Sequence, residues 1–454
     1  MTLLDLPWLD LALIFPLVGV LVALVAGSPV AAARWCLGAL GLCMVFAVGA
    51  AVVHFTGDQS VRLQPFAMFA LDSATAPMAP VLVLLNLLAV LGAAKSRLTL
   101  RFVVRVLASV FIGLAVLSAP TGWMTIGLLA VAGLLPVWDM SSRGQPSRAY
   151  LIYLVPIIGM MLIGWGAAQD GAPPWSLALL TAGVVLYSGV FPLHGWMPTL
   201  FGNASLGSAL VTALPLLPVA VALRLLIPIV PGEVLTVAAF ASLFTAVFAA
   251  GMAATQPLAR RFFAYLCLSQ SALVMFAVLL HTTASLTAAL CLWISSVLSL
   301  SGLAFSLRAL ESRFGLLSLR EHHGLYEQVP SKAVCFLVAG LGVVGFPGLI
   351  GFVPMELLVS GSFEQGLWVV AALAVAGMLS GIAILRAYFS LFTGRRPTTS
   401  IPLRITLPER IGLVAIVAIM LLGGWFSPHV VASQHQAAEA LLAGRGEPAA
   451  TPDP

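Results

Sequence analysis

The sequence predicts an all-α polytopic membrane protein of about fourteen transmembrane helices, organised as two inverted five-helix repeats with interrupted helices 7 and 12. Three observations carry that expectation. The 454 residues are 61% hydrophobic and only 8% charged, more apolar surface than a soluble chain of this size can hide. Lys and Arg gather in alternate connections, which orients the spans. Two apolar runs are broken at corresponding places by Pro and Gly: Gly189-Val190-Phe191-Pro192-Leu193-His194-Gly195-Trp196-Met197-Pro198, and Gly345-Phe346-Pro347 through Gly351-Phe352-Val353-Pro354. Neither Pro192 with Pro198 nor Pro347 with Pro354 fits inside one unbroken helix, because each proline lacks a donor and clashes with the preceding turn. Irregular backbone at membrane depth is tolerated only inside protein or beside a wet cavity.

Taken in order, Met1 to Asp10 carries Asp5 and Asp10 and no basic residue, so the first apolar run is a retained helix and not a secretory signal. The expected spans are 11–28, 35–55, 76–94, 102–119, 121–138, 149–168, 175–202, 207–229, 234–254, 262–281, 284–307, 333–361, 367–392 and 411–427. They group as N-terminal helices within 1–101, a first repeat over 102–229, a second over 234–392, a last helix at 411–427 and a tail at 433–454. That tail is rich in Ala, Gly, Pro and Glu and is expected to be disordered. Loops after odd-numbered spans hold Arg34; Lys95, Arg97 and Arg101; Arg143 and Arg148; Arg260 and Arg261; Arg308, Arg313, Arg320 and Lys332; and Arg395, Arg396, Arg404 and Arg410. Even-numbered loops hold Arg62, and the tail Arg445. Odd loops are therefore cytoplasmic, both termini face outward, and the net charge of +5 follows from topology. Spans 7 and 12 are five apart and cross in opposite senses, which makes the repeats inverted.

Function classes are narrowed by absence. There is no phosphate-binding loop, no dinucleotide fingerprint and no cysteine set for an iron–sulfur cluster. Cys36, Cys43, Cys267, Cys291 and Cys335 all fall in apolar segments and read as buried helix residues. Glu321-His322-His323 has two adjacent imidazoles but no further ligand at site-like spacing, so no metal is expected there. No basic stretch interleaved with aromatics suggests nucleic acid. No catalytic residue and no cofactor is expected on this chain; the lipid bilayer is its solvent.

The motifs resemble the antiporter-like membrane subunits of respiratory complex I, Mrp-type antiporters, membrane-bound hydrogenases and inorganic-carbon uptake complexes. Phe191 to Pro198 is similar to the family's Pro-x-His-x-Trp-Leu-Pro break. Arg260-Arg261-Phe262-Phe263-Ala264-Tyr265 with Ser269-Gln270 resembles its basic–Ala-Tyr–Ser-x-x-Ser-Gln stretch. Gly324-Leu325, Pro330 and Gly345 to Phe352 resemble its Gly-Leu…Pro…Gly-x-Pro-Pro-x-x-Gly-Phe run, and Arg386-Ala387-Tyr388-Phe389 its late Tyr/Arg cluster. The resemblance implies fourteen core helices with external termini, proton movement along midplane ionisable groups, and a place in a plasma-membrane (cell inner membrane) complex with other membrane subunits and a soluble cytoplasmic module. Any redox or hydration chemistry would sit on those partners.

This chain departs from the implied charge line. Val131 stands at the helix-five glutamate position, Tyr187 at the helix-seven lysine, Thr212 and Leu216 at the helix-eight positions, Ser301 at the later lysine and Met355 at the helix-twelve site, with Glu356 next to it. Asn203-Ala204-Ser205-Leu206 replaces a Pro-Thr-Pro. No lysine occurs between Lys95 and Lys332. The ionisable groups left for a proton path are Glu356, His194, Tyr187, Arg224 and Arg386. Each has a plainer reading: Glu356 bonded to a helix end or standing in a wet vestibule, His194 bonded to broken-helix carbonyls, Tyr187 bridging the break, and Arg224 and Arg386 snorkelling from helix ends. Asp139 reads as a loop carboxylate, Asp72 as an N-cap, and Ser295, Ser296, Ser299, Ser301 and Ser306 as packing hydroxyls.

Three functions compete at this point. The first is a membrane subunit of a multi-subunit proton-translocating complex of the NADH-quinone oxidoreductase/antiporter type, acting as a non-redox part of the translocase. The second is a non-pumping structural paralogue that anchors a cytoplasmic partner. The third is a membrane subunit of an inorganic-carbon uptake complex.

Overall fold

The computed structural model describes residues 6–56, 69–93, 98–169, 171–214, 216–394 and 407–444. Among these residues the regular structure is helical, apart from one isolated bridge between Leu258 and Ser318. Ten helices are long and apolar enough to cross a membrane, or eleven if one bent pair is a single span. Three shorter apolar helices accompany them. Arg62, Lys95, Arg97, Arg395, Arg396, Arg404 and Arg445, which belong to the charge bias, lie outside the described residues.

Two compact units divide the chain, Met1–Leu135 and Pro136–Pro454. The smaller contains α1 (Trp8–Val25), α2 (Pro29–Thr56), α3 (Met78–Leu91) and α4 (Leu100–Ser118), and α5 (Gly122–Ser142) runs out of it. Its helices approach closely where side chains are small: Gly113 meets Leu82, and Gly19 meets Ala39 and Leu107. Asp72 caps the turn ahead of α3, its Oδ1 accepting from the Thr75 amide at 2.7 Å.

The larger unit holds α6 (Arg148–Gln169), α7 (Pro174–Tyr187), α8 (Trp196–Asn203), α9 (Leu206–Ala213), α10 (Leu216–Val221), a π-helical turn (Ala222–Leu226), α11 (Gly232–Thr255), α12 (Ala259–Leu279) and α13 (Thr283–Phe314). It continues with α14 (Pro330–Val344), α15 (Phe352–Gly361), α16 (Leu367–Phe392), α17 (Leu407–Trp425) and α18 (Ser427–Ala443). Helices α12 and α13 are buried along nearly their whole length and form the centre. Others present apolar residues outward, such as Ile152, Val155 and Ile163 on α6, as a lipid-facing surface does. Helix α13 opens on a capping box in which Thr282 and Ser285 satisfy each other's amides.

The span expected over 207–229 coincides with a candidate span over 206–226, subdivided into α9, α10 and the π turn, with Leu214 extended ahead of Pro215. Three expectations are corrected here. The tail expected to be disordered from Ser433 is helical through Ala443, because Gln434, Ala437, Ala438 and Leu442 recur at helical spacing and are buried, and α18 packs on α13. The chain reaches α18 by a 76° bend after Trp425. Asp139 lies in the last turn of α5, not in a loop, and is 2% exposed. Lys332, counted among loop cations, is fully buried in the first turn of α14.

Candidate functional site

The first break separates α7 from α8 over 188–195. Gly189, at φ +94°, turns the chain into a region that other residues adopt only under strain. The Phe191–Pro192 peptide is cis, and Pro198 is the third residue of α8, where a missing N–H costs no helical bond. Polar side chains from two neighbouring helices take up the freed groups. Ser271 of α12 donates to the Ser188 carbonyl at 2.8 Å. A hydroxyl has one proton, so the 2.8 Å contact between the two hydroxyls is donated by Ser188. The Phe191 amide donates to Thr245 Oγ1 of α11 at 3.0 Å, and Trp196 Nε1 to the Leu186 carbonyl at 3.2 Å.

The second break, 345–351, is closed differently. Gly345 ends α14 in the left-handed region at φ +84°, the usual glycine helix stop. A Cβ on Gly351 would overlap the Gly342 carbonyl oxygen, and Gly424 of α17 lies against the Gly348 carbonyl. The Ile350 amide donates to the Met420 carbonyl at 3.1 Å. Pro354 again is the third residue of its half-helix. Main chain and glycine packing do here what hydroxyls do at the first break.

Between the two breaks, α12 and α13 carry buried, uncharged polar side chains. Next to Ser271 on α12 is Gln270, which accepts from Ser296 of α13 at 3.2 Å. One turn along α13, Ser299 lies against Gly342, and its hydroxyl has no hydrogen-bond partner among the described residues. Ser295, Ser301 and Ser306 bond carbonyls of their own helix.

The five ionisable candidates do not converge. Tyr187 and His194 flank the first break. Tyr187 is buried with its ring 6.2 Å from Trp196. His194 does not bond carbonyls through Nδ1 as expected: that atom is buried with no partner among the described residues, and the ring sits 5.8 Å from Phe191 and 5.4 Å from Phe248. Arg224 is half-buried in the π turn. Arg386 does more than snorkel. Its Nη1 donates to the carbonyls of Ala254 and, at 3.3 Å, Gln256, which close the C-terminal end of α11. Glu356 is exposed on α15.

Two charged clamps go beyond what the sequence suggests. Arg260 grips Glu311 through three contacts of 2.8–2.9 Å and also donates to the carbonyls of Phe201 and Ala204, at 3.4 and 3.3 Å. Asp139 accepts from the Ser205 amide at 2.7 Å, and Arg143, 3.7 Å from that carboxylate, donates to the Asn203 carbonyl. Together they cap the end of α8 and the start of α9. The i,i+4 spacing of Asp139 and Arg143 is a usable signal; nothing in sequence links Arg260 to Glu311. Lys332 donates to the Ala309 carbonyl at 3.4 Å. His322 and His323 contact the Phe389 and Ser318 carbonyls at 3.3 and 2.7 Å, and the described residues contain no group of three or more metal-ligating side chains.

Ser271→Ala removes the donor to Ser188 in a buried place. It is expected to cost about 1–3 kcal/mol in a thermal melt of the detergent-purified protein, because a carbonyl and a hydroxyl lose their partner together. A loss within error of zero would mean that water or a rotated Ser188 replaces it.

Residues 167–380, which contain both breaks, match the family described as NADH:quinone oxidoreductase/Mrp antiporter, TM. A Na(+)/H(+) antiporter subunit of Bacillus subtilis is 25% identical over 372 residues, covering 78% of this chain and 68% of that protein. The NADH-quinone oxidoreductase subunit M of Escherichia coli is 26% identical over 261 residues, 55% of this chain and 50% of that one, so the match spans about half of that relative's length. Among solved structures, a chain of respiratory complex I from Thermus thermophilus superposes with a TM-score of 0.83 at 20% identity, over 97% of this chain and 100% of that one. A chain of the Mrp complex from Dietzia sp. DQ12-45-1b gives 0.82 at 17%, over 98% and 100%. At those identities the structural likeness establishes the fold. The chain is similar to the antiporter-like membrane subunits of complex I and Mrp antiporters, and the part of it that matches the NADH:quinone oxidoreductase/Mrp antiporter transmembrane family is residues 167–380.

Proposed function

We propose that this chain is a membrane subunit of a multi-subunit proton-translocating assembly in a plasma membrane, beside other membrane subunits and a soluble cytoplasmic module. Its spans number fourteen when the bent pair Arg410–Trp425 and Ser427–Ala443 counts as an eleventh span and the three shorter apolar helices, Met78–Leu91, Pro174–Tyr187 and Pro330–Val344, are completed through their connections. The five-helix repeats 102–229 and 234–392 are inverted, and both termini face outward. The observation that carries the reading is the pair of matched breaks, each entering a half-helix with proline at its third position, with the buried polar residues Ser271, Gln270, Ser296 and Ser299 on the two helices between them. Hydroxyls both donate and accept, so such residues pass a proton by rotation of each group, without lysine, when water links them. Tyr187 and His194 flank the first break.

The test is proton flux in vesicles holding the whole assembly. Gln270→Leu combined with Ser296→Ala is expected to slow flux about tenfold or more while the assembly stays intact. Unchanged flux would favour a second reading, a structural paralogue that fills an antiporter slot without conducting. That reading has its own support: Arg386, Arg260 and Asp139 serve helix ends, and Glu356 is exposed.

A further inference from the structure

Glu356 stands at the middle of α15. Pro354 and Leu358 on either side of it are buried, and α15 packs on α13, with Gly361 against Ala284 and Ser285. At 3.6 residues per turn, Glu356 lies on the opposite side of the helix, and Ser360, one turn on, is exposed with it. Five residues of helical rise, about 7.5 Å, separate Glu356 from Gly361, which is level with the first turn of α13. With the second break at membrane depth, as the proposed function has it, the carboxylate lies on the half-helix between that break and the start of α13.

The rest of the outward surface is different. Val237 and Phe244 on α11 and Val375, Met378 and Ile382 on α16 are exposed and apolar, as lipid requires. An unpaired carboxylate among acyl chains is strongly disfavoured. The second break makes the same point independently: Phe346, Pro347 and Gly348 are exposed, and non-helical backbone does not face lipid.

We propose that the α15 face carrying Glu356 and Ser360 is a subunit interface, and that its occupant is a membrane helix of a different subunit presenting a Lys or Arg side chain at that depth. The proposal rests on the multi-subunit reading above and names the partner's chemistry. A parallel second copy does not fit. In the larger unit Arg261 and Arg320 are exposed at the far end, where α12 begins and the chain leaves α13, while Glu356 lies near the start of α13. Two parallel copies would set carboxylate against carboxylate. Arginine or lysine from another subunit neutralises Glu356 and donates to Ser360.

The experiment uses the assembly purified from its native membrane. A photo-crosslinking residue at position 360 is expected to form an adduct with a different membrane polypeptide, mapping to a span that contains Lys or Arg. Glu356→Lys, which places like charges face to face, is expected to lower recovery of that polypeptide by more than about tenfold, and Glu356→Gln by a smaller factor. Changing the partner's cation to Glu restores the Glu356→Lys variant. Adducts with lipid only, adducts with a second copy of this chain, or undiminished recovery with Glu356→Lys would each overturn the proposal. If Glu356→Lys does not fold, the adduct at position 360 decides alone. Neither readout needs ion flux, so the interface and proton translocation stand or fall separately.

Discussion

Glu311→Ala is expected to destabilise the detergent-purified protein by about 3–5 kcal/mol, the usual cost of stripping one partner from a buried ion pair. The Arg260 and Glu311 side chains are 22% and 9% exposed, so solvent screens them little. Removal of the carboxylate leaves a guanidinium held against the carbonyls of Phe201 and Ala204 at the end of α8. That charge then has helix-end dipoles as its main compensation, worth about 1 kcal/mol. Glu311→Gln keeps acceptor capacity and loses the charge, so its expected cost is smaller, about 1–3 kcal/mol. Removing both partners in Arg260→Ala/Glu311→Ala is expected to cost less than the two single changes summed, since no orphaned charge remains. The internal control is Glu439→Ala. Its contact with His435 at 3.3 Å joins side chains 50% and 54% exposed, and pairs of that kind contribute about 0–1 kcal/mol. Chemical or thermal unfolding of the five variants, Arg260→Ala included, under one detergent settles the matter. Equal effects for Glu311→Ala and Glu439→Ala would show that the clamp is solvated and holds nothing.

The contrast between those pairs explains what is legible in the sequence and what is not. Both breaks are legible because their cause is local: Pro192, Pro198, Pro347 and Pro354 forbid continuous helix wherever the rest of the chain goes. The fold class is legible for a similar reason, since composition and span length are one-dimensional properties. Contacts that depend on distant residues are not. Arg260 and Glu311 are 51 positions apart, and each looks like an ordinary loop-end charge until α12 and α13 pack together. Lys332 reads as a loop residue because it follows Pro330, yet proline is at home in the first turn of a helix, and α14 begins there. Helix α18 is hidden by averaging, because the Ala-rich, polar composition of the tail masks the spacing of Gln434, Ala437, Ala438 and Leu442. The candidate proton path suffers most. Ionisable type marks Glu356, Arg386 and His194 as candidates, but type does not say which side of a helix a residue occupies or which carbonyl it reaches. Period does part of that work: the spacing of Pro354, Leu358 and Gly361 already puts Glu356 on the other face of its half-helix.

Gly351→Ala carries the second large effect, and it acts by overlap, not by conformation. Gly351 has φ −82° and ψ −14°, which alanine adopts freely, so backbone strain contributes nothing. The added methyl would instead meet the Gly342 carbonyl oxygen of α14, with the Gly345 Cα close behind. Those are main-chain atoms of a helix whose other side is pressed against Ser299 and Met420, so they cannot yield as the tip of a flexible side chain would. Overpacking of this kind costs about 1–3 kcal/mol where side chains can shift, and this site belongs at or above the top of that range. Two neighbouring glycines separate the causes. Gly348 has open space where a Cβ would go but φ +87°, so Gly348→Ala is expected to cost roughly 1–2 kcal/mol from conformation alone. Gly377, inside α16, has only the Met355 methyl at 3.8 Å and an ordinary helical backbone; alanine there is expected to be neutral or to stabilise by about 0.5–1 kcal/mol. Melting midpoints and yields of the three variants should therefore rank Gly351→Ala lowest, Gly348→Ala next and Gly377→Ala at or above the parent. The order matters for function as well as for stability. The close approach of Gly351 to Gly342 helps to hold the half-helix α15 against α14, so a variant that folds but relieves the overlap shifts the start of α15, the half-helix that carries Glu356. If Gly351→Ala melts with Gly377→Ala, the second break is loose, and the fixed direction of Glu356 goes with it.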